Sequence, residues 1–105
     1  MIKAEIFSVK GRIVGFSING HSGSAPIGKD IYCAGVSSLS QAAFICITDY
    51  LKRDVDGAAD DGKLSLRLKT APDEQTEAVF QTMLIGLKEI EKLVPKFLKV
   101  ITIFE

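Results

Sequence analysis

Ile2-Lys3-Ala4-Glu5-Ile6-Phe7-Ser8-Val9, then Lys10-Gly11, then Arg12-Ile13-Val14-Gly15-Phe16-Ser17-Ile18-Asn19: these eighteen residues decide how the chain is read. Residues 2–9 and 12–19 are rich in β-branched and aromatic side chains, which suit a pleated, half-buried surface, and both runs predict strands. Lys10-Gly11 between them is a two-residue turn, with glycine available for positive φ, so the pair predicts a hairpin. A hairpin alone cannot bury an apolar side, so the covering layer must come from the rest of the chain.

Residues 20–29, Gly-His-Ser-Gly-Ser-Ala-Pro-Ile-Gly-Lys, hold three glycines and one proline and predict a flexible loop. Asp30 then reads as the N-cap of a helix running to about Arg53, because its carboxylate can accept a bond from an unpaired amide two or three residues on, worth roughly 1 kcal/mol. Apolar residues nearly surround this helix, Ile31, Ala34, Leu39, Ala43, Ile45 and Ile47 among them, which predicts burial on most sides and a partner subunit over one face. Residues 54–62 read as an acidic loop. Lys63 to Lys69 alternates leucine with polar residues, the period of a half-buried strand. Pro72-Asp73-Glu74 opens a second helix, with Phe80, Met83, Leu84, Leu87 and Ile90 in its apolar stripe, and Pro95 ends it. Residues 99–104 predict a last strand. The order β-β-α-β-α-β implies an α+β domain over residues 1–105, with one mixed four-stranded sheet and two helices packed on one face.

Composition narrows the function. Lys plus Arg is 13 and Asp plus Glu is 13, so there is no basic excess to hold a phosphate backbone and no direct nucleic-acid partner is expected. The start of the chain has no long apolar run of the targeting kind. The longest purely apolar run, Ala42 to Ile47, is far short of the roughly 20 residues of a membrane span, so no membrane role is expected. Two cysteines without a signal segment predict reduced thiols in a cytoplasmic setting.

The chemistry-bearing stretch is Gly20 to Ser37, which holds the chain's single histidine and one of its two cysteines. With Asp30 as cap, Cys33 is the third helical residue, where partial positive charge favours thiolate, the nucleophilic form. His21 has the side chain whose ordinary pKa lies near neutrality and is suited to take the thiol proton. Asp30 has two possible roles, cap or orienting group for His21; Ser37, four residues after Cys33, shares its helix face. The amides of Cys33 and Ala34 are candidates to hold an oxyanion. Gly23 and Gly28, with Gly20, would let the loop open and close over an extended peptide. One histidine and one nearby cysteine are too few for a structural zinc site, and no metal or cofactor is expected. Cys46 reads as core. It lies about 20 Å along the helix from Cys33, beyond disulfide reach and so no resolving partner for a redox sensor.

Gly20-His21, then Gly28-Lys29-Asp30-Ile31-Tyr32-Cys33-Ala34-Gly35-Val36-Ser37, resembles the signature of the ribosomal-processing cysteine protease family, Prp. The resemblance extends over essentially the whole chain; Tyr32 departs from it, where a small aliphatic residue is expected. It implies a homodimeric endopeptidase that removes the N-terminal extension of a bacterial large-subunit ribosomal protein. Cys33 would be the nucleophile and His21 the base, with Asp30, Ser37 and Gly20 on the family's recurring positions. The competing reading is a dimeric, ribosome-associated interaction module without catalysis, in which Cys33 merely fills the helix start.

Overall fold

The computed structural model describes residues 1–20, 30–60 and 62–105, the Asp30 side chain excepted. Strands β1 (Ile2–Val9) and β2 (Arg12–Asn19) form the hairpin. Lys10 and Gly11 both take positive φ, 51° and 82°, the two-residue turn whose twist matches paired strands. The antiparallel register runs from Lys3 opposite Asn19 to Val9 opposite Arg12 and shifts between Phe7 and Ser8. That shift leaves Val14 as an extra residue, a bulge that lets Ile13 and Val14 both be buried.

The sheet has five strands, where the sequence predicted four, in the order β3-β4-β2-β1-β5. The addition is β3 (Val55–Asp60), in the stretch expected to be an acidic loop; it pairs antiparallel with β4 (Lys63–Leu68). Its composition is poor for a strand. What makes it one is the backbone edge of β4 together with a fit at Gly57, where a Cβ would lie 2.8 Å from the Phe44 ring. β5 (Leu98–Phe104) runs parallel to β1, with Leu98 opposite Ile2, so the sheet is mixed as expected.

Two helices cover one face. The first, α1, is regular from Asp30 to Ile45 and continues as a π-helical segment, Cys46–Tyr50. The expected single helix to Arg53 therefore stops short and changes winding. Leu51 N–H bonds to the Cys46 carbonyl at 2.9 Å, and Lys52 turns the chain away at φ 57°. The second, α2 (Glu74–Leu93), starts where Pro72-Asp73-Glu74 predicted: Asp73 accepts from Thr76 N–H while Thr76 Oγ1 accepts from Asp73 N–H, a capping box.

Ile2, Ala4 and Ile6 of β1, Phe16 and Ile18 of β2 and Leu66 of β4 meet Phe80, Met83 and Leu87 of α2 in one apolar cluster, which Val36, Ala43 and Ile47 complete from the first helical stretch. Phe16 and Phe80 meet edge to face with ring centroids 6.2 Å apart. The 31–50 stretch is long and apolar enough to cross a membrane by length and composition, although it has no purely apolar run of that length. In the fold its inner side lies on the sheet while Ile31 and Tyr50 stand exposed.

Candidate functional site

The first turns of α1 carry the cysteine. Asp30 is itself the first helical residue and not the flanking cap, which moves Cys33 from the expected third helical position to the fourth. In a helix starting there, the Ala34 N–H belongs to the Asp30 carbonyl four residues back. The Cys33–Ala34 amide pair proposed as an oxyanion site is thus partly consumed by the helix. The positive end of the helix dipole remains within a turn of Cys33.

Cys33 is 7% exposed and packs in the apolar cluster. Val36, Ser37, Ser40 and Gln41 follow it at the spacings that keep residues on one side of a helix. Those four line a groove of about 110 Å³. Its opposite wall is Ile18 of β2 with Ala59, Asp60, Gly62, Lys63 and Leu64 around the β3–β4 junction. Ser40 is buried and returns its hydroxyl to the Val36 carbonyl at 2.8 Å, which satisfies it inside the helix. Ser37, half-buried, is the groove residue one turn from Cys33.

Gly20 directly follows β2, two residues beyond the groove residue Ile18. It has φ +94°, and a Cβ there would lie 2.3 Å from the Met1 carbonyl oxygen. Its N–H donates to the Gly62 carbonyl at 3.1 Å. The glycine before His21 is therefore a backbone requirement. His21, Gly23 and Gly28 lie outside the described residues. The strand leading into His21 and the helix bearing Cys33 thus meet across one groove.

Of the groove residues, sequence reasoning reached only Ser37. Val36, Ser40 and Gln41 were open to it through helical spacing from Cys33. Asp60, Gly62 and Lys63 were not, since only the pairing of β3 with β4 brings them there. Cys46, read as core, is half-buried beside Leu39, Val79 and Met83 between the helices. Neither cysteine is in a disulfide, and among the described residues no cluster of His, Cys, Asp and Glu has metal-site geometry.

Comparison with known proteins agrees with the signature. Residues 1–99 match the family described as cysteine protease Prp. The ribosomal processing cysteine protease Prp of Staphylococcus aureus is 28% identical over 86 residues, 79% of this chain and 80% of the relative. A crystal structure of a Streptococcus mutans protein superposes with a TM-score of 0.88 at 26% identity, over 100% of this chain and 96% of the other. The S. aureus Prp crystal structure determined with a substrate peptide gives 0.86 at 23% identity over 100% of both chains, a likeness of fold. A cysteine on the first turn of a helix, beside a groove that the strand before the histidine also lines, is thus found in a chain that matches that family over residues 1–99: the protein belongs to the cysteine protease Prp family and is a cysteine protease.

Proposed function

We propose that this protease removes the N-terminal extension of a bacterial large-subunit ribosomal protein, with Cys33 as nucleophile and His21 as its base. The observation that carries the reading is the position of Cys33, on the first turn of α1 one turn from a groove that the end of β2 also lines. In sequence His21 comes directly after Gly20, the residue that follows β2. The S. aureus relatives carry the name ribosomal processing protease, which supports the substrate class. Equal numbers of acidic and basic residues support a protein segment, and not nucleic acid or a membrane surface, as the thing bound. The cytoplasm, where such a substrate is made, is the proposed location, and a homodimer the proposed assembly.

The chemistry is acyl transfer. The Cys33 thiol gives its proton to His21, and the sulfur bonds to the scissile carbonyl carbon. The C–N bond breaks as the leaving amine takes the proton from His21. Water then adds to the thioester, releases the new carboxylate and restores the thiol. Asp30 is assigned to orient His21, and Ser37 to the groove beside the sulfur. The non-catalytic module reading falls with membership of a protease family.

The test is incubation with a synthetic peptide spanning the extension and its junction, followed by mass spectrometry. Two fragments are expected from the wild type and none from Cys33→Ala. Alkylation of Cys33 at pH 6–7 should be fast and should slow in His21→Ala. Undiminished cleavage by Cys33→Ala would rule out the nucleophile.

A further inference from the structure

The two edges of the sheet differ. On β5 the outward amide of Val100 is occupied by the Glu91 carboxylate at 2.8 Å, one of the ways a protein closes an edge against strand addition. On β3 nothing comparable is seen among the described residues. Lys69 N–H bonds to the Asp54 carbonyl at 3.0 Å, so 54 and 69 form a hydrogen-bonded pair of the antiparallel ladder. Stepping by two, Asp56, Ala58 and Asp60 turn their backbone groups toward β4, in the observed register with Arg67, Ser65 and Lys63. Val55, Gly57 and Ala59 therefore turn N–H and C=O outward. Residues 56–60 are exposed, and Gly57-Ala58-Ala59 have no side chain large enough to shield that edge. The edge also leads to the site, because Ala59 and Asp60 form one wall of the groove whose other wall is Val36, Ser37 and Gln41.

We infer that the outer edge of β3 receives the substrate as an added strand, with the backbone groups of Gly57 and Ala59 hydrogen-bonded to an extended peptide whose scissile bond lies toward Cys33. This rests on the protease reading above and specifies how the peptide is held. Strand addition supplies affinity through the main chain and leaves alternate side chains to the pockets. The Phe44 ring, against Gly57, offers one of them an apolar wall.

The experiment uses the full chain and the same junction peptide. Ala59→Pro removes one outward N–H at an edge position, where proline is tolerated. It should raise KM about tenfold, the equivalent of one hydrogen bond of roughly 1.4 kcal/mol, with the Cys33 alkylation rate unchanged. Thr102→Pro, on the outward register of β5, should leave KM as in the wild type. Independently of any change in β3, Cys33→Ala saturated with the peptide should show amide hydrogen exchange slowed at Gly57 and Ala59, and this measurement decides if Ala59→Pro does not fold. A wild-type KM in a folded Ala59→Pro, or unslowed exchange at both amides with peptide bound, overturns strand addition while leaving the protease assignment standing. Failure of the wild type to cleave the peptide overturns the substrate assignment, and strand addition with it.

Discussion

Replacing Gly20 by alanine separates two costs that the structure puts at one position. The first is conformational. Gly20 has φ +94°, and an L-residue held on that side of the map costs about 1–2 kcal/mol. The second is contact. The added Cβ would lie 2.3 Å from the Met1 carbonyl oxygen and 3.5 Å from the Ile2 Cα, so the start of β1 and the end of β2 must move apart. That motion strains the Gly20 N–H bond to Gly62 and the Ile2 N–H bond to Phe97, 3.1 and 2.8 Å, each worth about 1 kcal/mol net. With between one and both of those bonds' worth lost, the sum expected for Gly20→Ala is roughly 2–4 kcal/mol. Gly11→Ala is the internal reference, since Gly11 has φ +82° but nothing within 4 Å of a built Cβ; it should cost the conformational part alone. Urea unfolding of both variants, followed by circular dichroism, gives the difference directly. Gly20→Asn should recover part of the first cost, because asparagine tolerates the left-handed region better, but none of the second. If Gly20→Ala proves no more destabilising than Gly11→Ala, the contact with Met1 does not constrain the strand end, and the backbone explanation of this glycine fails.

Two further outcomes follow from the junction of the π-helical segment with α2. The Arg53 guanidinium donates to Thr70 Oγ1 at 2.9 Å, to the Ala71 carbonyl and to the Asp73 carboxylate at 3.3 Å; Arg53→Lys, whose ammonium cannot reproduce that fork, should lower stability by about 1–2 kcal/mol in urea titration. The Thr76 N–H, chiefly, and then the Arg53 charge hold the Asp73 carboxyl below its ordinary value. The stabilisation it gives is therefore present above the usual carboxylate range and is lost as pH falls through the lowered value. Unfolding midpoints from pH 7 down to pH 2 should accordingly fall less in Asp73→Asn than in the wild type, starting from a lower midpoint at pH 7.

What could be read in advance was local. Lys10-Gly11 specifies its turn because two residues with positive φ suffice to reverse a strand pair, and the register of the hairpin follows from the turn. The start of α2 is legible in Pro72-Asp73-Glu74, and the structure adds Thr76, which with Asp73 satisfies the backbone groups of the first turn. The stretch from Gly20 to Ser37 makes the protease family legible through its resemblance to a known signature, while one cysteine and one histidine by themselves leave the chemistry open.

Apart from the start of α1, which begins at Asp30 itself, the misreadings have one cause in common. Val55-Asp56-Gly57-Ala58-Ala59-Asp60 has no strand preference of its own; it is a strand because β4 offers it a ladder and Phe44 fills the space beside Gly57. The change of winding after Ile45 likewise leaves no local signal, and the placement of β1 between β2 and β5 is a matter of pairing across most of the chain. The Lys10-Gly11 turn and the Asp73 cap are settled by neighbours in sequence, whose interactions need no chain closure. The fifth strand, the groove beside Cys33 and the open edge that borders it come from contacts between distant residues, and those are decided only when the whole core packs.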